Sequence, residues 1–230
     1  MSANDILAVD DLNVSYGESK VLFDVSIHVK RNEVVSCVGR NGAGKTTLLK
    51  TIGGFLKPTS GSIRYDDTDL VGLMSYDVAR LGVKYIPQDK KVFSDLTVRE
   101  NLELASYATK DHDWDAVLGY FPKLKTLMDR KGGYLSGGER QMLMIGRAII
   151  GHPKVLLIDE PTEGLAPSIV SQLREVFNEL SRNSALVIVE QNLSLVCEIS
   201  HKVYAMKEGT MVSEITDGGD IKNNVCVRYL

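Results

Sequence analysis

Cysteine is scarce in this chain of 230 residues. There are three, Cys37, Cys197 and Cys226, too few and too widely spaced for a disulfide framework or a zinc-type ligand set. They read as small buried hydrophobes in a protein kept in a reducing compartment. Long apolar runs are missing as well. No stretch approaches the ~18 residues that a membrane span requires. The N-terminus, MSANDILAVDDLNVSYG, is acidic and mixed, so no signal peptide is expected. Excess positive charge is also lacking: Lys and Arg number 27 against 30 Asp and Glu, a net charge of -3. That counts against a nucleic-acid partner, because counterion release takes a basic face. Internal repeats and low-complexity tracts are absent. What is left is the composition of a soluble globular protein, 43% hydrophobic and 25% charged, long enough for one large domain or a domain carrying an inserted one.

Against that background one string stands out. Residues 39–47 read GRNGAGKTT, directly after the β-branched run Val34–Val38 and directly before Leu48-Leu49-Lys50, which opens a helix. The pattern G-x-x-x-x-G-K-[ST] between a strand and a helix N-terminus makes a phosphate cradle. Gly39, Gly42 and Gly44 give the backbone conformations that a Cβ forbids, so that consecutive N–H groups turn inward on a polyphosphate. Lys45 supplies a cation for the outer phosphates and the Thr46 hydroxyl is placed for Mg²⁺. The nucleotide-binding set is therefore Gly39, Arg40, Asn41, Gly42, Ala43, Gly44, Lys45, Thr46 and Thr47.

The chain around this loop divides into three kinds of pattern. Ile6–Val9, Val25–Val29 and Ser62–Tyr65 read as short, half-exposed strands. Val34–Val38, Val83–Ile86, Val155–Ile158 and Leu186–Val189 are apolar runs bounded by polar turns, as expected of parallel strands buried on both faces. Between Gln88 and Leu135 the strand signal disappears. Thr97-Val98-Arg99-Glu100 is a capping box that opens a helix to about Thr109, and Phe121-Pro122 begins another. The α/β pattern then resumes, with a helix from about Ser168 to Ser181 and a terminal hairpin, Val203–Met206 and Met211–Glu214, about the turn at Glu208-Gly209.

Two further strings carry chemistry. Val155–Ile158 ends in Asp159 and Glu160. Ligands of an α/β sheet sit beyond the carboxyl ends of its strands, which puts Asp159 near the Mg²⁺ through a water. Glu160, one step further out, is the group to polarise a water for attack on the γ-phosphate. Leu135-Ser136-Gly137-Gly138-Glu139-Arg140-Gln141 opens a helix with free N–H groups and a Ser hydroxyl, a second anion-binding end. Within one chain a second phosphate site has little use; it makes sense facing the triphosphate of another subunit.

By these strings the chain resembles the ATP-binding subunits of ABC transporters over essentially all its length. The resemblance implies an α/β fold: a P-loop NTPase core with a parallel sheet, an N-terminal antiparallel β subdomain and an inserted all-helical subdomain. Residues 1–87 and 147–230 would form the core and 88–146 the helical part. It implies ATP and Mg²⁺ as ligands and ATP hydrolysis coupled to transport. Tyr16, in Val-Ser-Tyr-Gly, would stack on adenine. Gln88, in Tyr-Ile-Pro-Gln, would touch the metal and the attacking water. Leu135, Ser136, Gly137, Gly138 and Glu139 would close over ATP held by a second ATPase subunit. The helical insertion would dock on two transmembrane permease subunits at the cytoplasmic face, served by an extracytoplasmic solute-binding protein.

Two positions depart from the broad family pattern. Ala166 stands where an Asp usually crosses the subunit interface, and Gln191 stands where a His usually contacts the γ-phosphate. A neutral amide can donate to phosphate but carries no imidazolium charge. Glu163-Gly164-Leu165-Ala166-Pro167 with Val189-Glu190-Gln191-Asn192 resembles one branch, the ATPases of branched-chain amino-acid importers and their urea or amide relatives. Lys91–Val98, Gln141–Ala148 and the terminal Arg228-Tyr229-Leu230 fit that branch too. Thr162-Glu163-Gly164 and Gly39-Arg40-Asn41 lean towards the urea relatives, and Gln141-Met142-Leu143-Met144-Ile145-Gly146 towards the amino-acid ones. The rivals are an export ATPase of similar size, which is expected to carry His at 191, and a non-transport ABC protein, which is expected to carry two ATP domains or a long coiled coil.

Overall fold

The computed structural model describes residues 5–222 of the chain. Cys226 and the terminal Arg228-Tyr229-Leu230 lie outside the described residues. Two sheets organise the rest. The first is antiparallel and runs in the order β2 (Ser19–Lys30), β1 (Asp5–Tyr16), β4 (Ser60–Tyr65), β5 (Thr68–Asp69). The second has six strands in the order β10 (Thr210–Ile215), β9 (Lys202–Lys207), β3 (Val34–Val38), β8 (Ala185–Val189), β7 (Val155–Asp159), β6 (Val83–Ile86). All its pairings are parallel except the terminal β9–β10 hairpin. This is the α/β architecture expected from the sequence.

The reason lies in the side-chain period of two. β3, β7 and β8 are buried at every position, and alternate residues serve different cores. Val155 and Leu157 of β7, with Val187 and Val189 of β8, pack towards the antiparallel sheet and α1 (Lys45–Ile52). Leu156, Ile158, Leu186 and Ile188 pack the other way. There they meet α6 (Gly137–Ile149) and α7 (Pro167–Leu180), whose Phe177 is fully buried. The same second core takes in Val98 and Leu102 of α3 (Val98–Thr109), together with Val117, Phe121 and Leu124 from the segment of two short helices, Asp115–Tyr120 and Pro122–Lys125. The helical insertion is thus packed on the core rather than merely tethered to it. α6 runs through residue 146 to Ile149, so both divisions of the chain share one helix.

The capping box at Thr97 is formed: its hydroxyl accepts from Glu100 N, and Glu100 Oε2 accepts from Thr97 N at 2.7 Å. Three elements differ from their sequence expectation. β1 and β2 each span 12 residues, well past Ile6–Val9 and Val25–Val29. Register shifts at Val9/Leu12 and Leu12/Val14 break the alternation, and Asp11 and Asp24 take left-handed φ of 48°. A period-two reading loses the strand at such bulges. The helix opened by Phe121-Pro122 ends after one turn, at Lys125.

The two sheets are laced together at the terminal hairpin. Gly209 N donates to Ala43 O at 2.9 Å, and Phe23 N donates to Gly209 O at 2.9 Å, so one turn residue ties β2 to the loop before α1. Gly209 has φ of 79°, and a Cβ there would lie 2.0 Å from Val21 O. Gly209→Ala is expected to cost ~2–4 kcal/mol, from left-handed strain and overpacking, and to lower the melting temperature by roughly 5–15 °C. Gly119→Ala, with open space around it, is the control and is expected to be neutral or slightly stabilising. Equal melting of Gly209→Ala and the parent would show that the turn does not approach β2 this closely.

Candidate functional site

The loop between β3 and α1 closes as the sequence requires. Gly42 and Gly44 take φ of 81° and 106°. Gly39 is needed for space, since a Cβ there would lie 2.3 Å from Met206 O. The loop and its neighbours line a cleft of about 320 Å³ that includes Asn41, Gly42, Ala43, Gly44, Lys45, Thr46, Thr47, Gln88 and Glu160. Arg40 contributes through its backbone: its carbonyl accepts from Ala43 N at 3.1 Å and from Lys45 Nζ at 3.1 Å.

Lys45 is buried at the first position of α1. Two of its three donors are spent on Gly39 O, at 2.8 Å, and Arg40 O. The ammonium lies 3.6 Å from Glu160 Oε1, an ion pair with both side chains buried. The Thr46 hydroxyl donates to Asp159 Oδ1 at 3.1 Å, and Tyr85 OH donates to Oδ2 at 2.9 Å. Burial pushes the Asp159 carboxyl above the usual carboxylate range, against the two hydrogen bonds that lower it. Burial, then Asp159, push the Tyr85 phenol upward, which keeps it a donor. A hydroxyl and a carboxylate side by side are hard oxygen donors, and they fit Mg²⁺ held mostly by substrate phosphates and water. Among the described residues no group of three or more His, Cys, Asp or Glu forms a self-sufficient metal site.

Glu160 follows β7 with φ of 43°, and its N–H donates to Val189 O at 2.9 Å. This kink aims its carboxylate back into the cleft. Oε1 accepts from Gln191 Nε2 at 2.8 Å and Oε2 from Gln88 Nε2 at 3.2 Å. Gln191 Nε2 also donates to Asn41 Oδ1 at 2.7 Å, and Gln88 Nε2 to Glu163 Oε2 at 2.9 Å. Lys45, Gln88 and Gln191, far apart in sequence, therefore converge on one carboxylate. Tyr16 ends β1 half-exposed and does not line the cleft.

Ser136–Glu139 lie apart from it at the start of α6. Ser136 and Gly137 are exposed, and a Cβ on Gly138 would meet Ile169 Cγ1 at 3.2 Å. Ser136 N donates to Glu139 Oε2 at 2.8 Å and Glu139 N to Ser136 Oγ at 3.3 Å. These bonds, the backbone one first, hold the Glu139 carboxyl below its ordinary range. The Leu135 side chain is buried in its own subunit's second core, where it anchors the loop by packing.

Sequence reasoning missed Tyr85, Glu163 and Glu190. Tyr85 lies inside a run read only as a buried strand. Glu190 follows the apolar run Leu186–Val189 as Glu160 follows Val155–Asp159, and that parallel was the available signal. Cys37 behaves as expected of a buried thiol: desolvation pushes it up to about 12.

Residues 22–163 match the family model described as ABC transporter. The chain is 41% identical over 223 residues to the high-affinity branched-chain amino acid transport ATP-binding protein BraG of Pseudomonas aeruginosa, covering 95% of this chain and 96% of that protein. It is 39% identical over 204 residues to the probable branched-chain amino acid transport ATP-binding protein LivF of Archaeoglobus fulgidus, 86% of each. Its fold is similar to the ADP conformation of MJ1267, an ATP-binding cassette of an ABC transporter. There the TM-score is 0.85 at 28% identity, over 96% of this chain and 95% of that one.

Lys45→Ala removes a buried ammonium aimed into the cleft. Fluorescent-nucleotide titration is expected to show binding weakened by about 1.5–3 kcal/mol, roughly 10- to 150-fold. Unchanged affinity would remove Lys45 from the nucleotide site.

Proposed function

The chain belongs to the ABC transporter family, and on that premise we propose that it is the ATP-binding and ATP-hydrolysing subunit of an importer of branched-chain amino acids. The observation that carries the enzymatic reading is the meeting of the two strand ends. Lys45 and Thr46, from the loop after β3, lie against Glu160 and Asp159 at the end of β7. The relatives at 41% and 39% identity, both named for branched-chain amino acids, favour that solute class over urea or amides and over an export role.

The residues divide the work as follows. Loop N–H groups and Lys45 hold the β- and γ-phosphates. Lys45 already spends two donors on loop carbonyls, so an incoming γ-phosphate competes with Glu160 for the third. That releases Glu160 Oε1 to accept a proton from the attacking water. Gln191 and Gln88 hold the two carboxylate oxygens from opposite sides and are the groups that orient base and water. Thr46, Gln88 and, through water, Asp159 would hold Mg²⁺, which when bound neutralises charge on the transferring phosphoryl group. Tyr16, exposed at the end of β1, offers a ring to the adenine.

Ser136, Gly137, Gly138 and Glu139 serve ATP on a second ATPase subunit. Support for this comes from the exposure of Ser136 and Gly137 and from the separation of all four from the cleft of their own chain. The helical insertion meets two permease subunits at the inner face of the membrane, with a solute-binding protein outside. No helix among the described residues is long and apolar enough to cross a membrane.

Two measurements check this reading. Glu160→Gln keeps the side chain's shape and loses the base: ATP is expected to remain bound while turnover falls ~10²–10⁴-fold. Hydrolysis at the parent rate would rule Glu160 out. Turnover by the full chain is also expected to rise more than linearly with its concentration, or on adding a second ATPase subunit. Strictly linear dependence in a confirmed monomer would defeat the shared site.

A further inference from the structure

Glu190 is 3% exposed and takes no direct part in the cleft. Its carboxylate nevertheless accepts four hydrogen bonds. Oε1 takes Thr162 N at 3.1 Å and the Thr162 hydroxyl. Oε2 takes Gln191 N at 2.7 Å and Asn192 N at 3.1 Å. All four donors are neutral. A buried carboxylate is costly unless its lone pairs are filled, and here they are filled by two loops that leave neighbouring strands. One loop follows β7 and carries Glu163, which holds Gln88. The other follows β8 and carries Gln191, which holds Glu160 and Asn41.

The lacing runs in one direction. Glu160 N donates across to Val189 O, and Thr162 N donates across to Glu190. The β7 loop is thus stitched to the β8 loop at the kink at Glu160 and again two residues beyond it. A Gln at 190 would offer one acceptor oxygen and turn an NH₂ against two donors. An Asp would fall one methylene short. The chemistry therefore asks for a carboxylate at this reach.

Resting on the proposed ATPase reading, we infer that Glu190 is a positioning residue for hydrolysis. By clamping the backbone of Gln191, Asn192 and Thr162, it sets the two amides that hold the Glu160 carboxylate. Glu190 does not line the cleft, and its effect is transmitted through Gln191 and Gln88. It should therefore act on the cleavage step and leave nucleotide affinity, which the β3–α1 loop supplies, nearly alone.

The test is single-turnover ATP cleavage and fluorescent-nucleotide affinity on the full chain, at concentrations where the parent turns over. Glu190→Gln is expected to cleave ~10- to 100-fold more slowly with affinity within ~3-fold of the parent. Thr162→Val, which removes only the hydroxyl donor, is expected to slow cleavage ~3- to 10-fold with the same sparing of affinity. Combining Glu190→Gln with Gln191→Ala is expected to be clearly less slow than the product of the two single effects, since they share the route through Gln191. Parent-rate cleavage by Glu190→Gln, affinity lost in step with rate, or multiplying effects in the double variant would each overturn the inference. If Glu190→Gln does not fold, Thr162→Val decides: parent-rate cleavage there overturns it. A parent chain that binds ATP and never cleaves it removes the function and this inference together. A cleaving parent with an unaffected Glu190→Gln removes the inference alone.

Discussion

The phosphate loop, the acidic pair and the Gln191 loop hang from the carboxyl ends of three adjacent strands, β3, β8 and β7, and what keeps those ends level is the burial of both faces of each strand. Alternate residues belong to different cores, so a slip of one residue would exchange the two cores' contents. Register is fixed by the whole hydrophobic interior and not by any one contact. The pairs Cys37↔Val189 and Asp159↔Val189 then follow, and with them the approach of the phosphate loop, the acidic pair and the Gln191 loop.

The same burial sets the electrostatics. Lys45, Asp159, Glu160 and Glu190 are all nearly inaccessible, where an uncompensated charge is expensive. Each is compensated differently. Lys45 and Glu160 face each other, Asp159 is held by two hydroxyls, and Glu190 is filled by three backbone N–H groups and the Thr162 hydroxyl. Only the first arrangement has a charge that an incoming polyanion would rearrange. The other two are satisfied by the protein itself and form the rigid frame around it.

The parts legible in the sequence were those in which neighbours along the chain act together. The phosphate loop, the Asp159-Glu160 strand end, the capping box at Thr97 and the fully apolar strands are all local strings, and each sits where its string predicts. The parts that were not legible depend on pairs far apart in sequence. Gly209 serves Ala43, 166 positions away. Tyr85 serves Asp159, and Glu190 serves Thr162. The bulged half of β1 was hidden for a different reason: an extra residue at a bulge erases the alternation by which an exposed strand is recognised.

The terminal hairpin has one further consequence. A two-residue turn with both φ positive, Glu208 at 47° and Gly209 at 79°, is ordinarily a tip that tolerates insertion or a new chain end. Here the tip is wedged between β2 and the phosphate loop, with Gly209 buried. Evolution and the protein engineer meet the same restriction: this hairpin cannot lengthen at its turn, and the chain cannot be reopened there, without loosening the floor on which the triphosphate would rest.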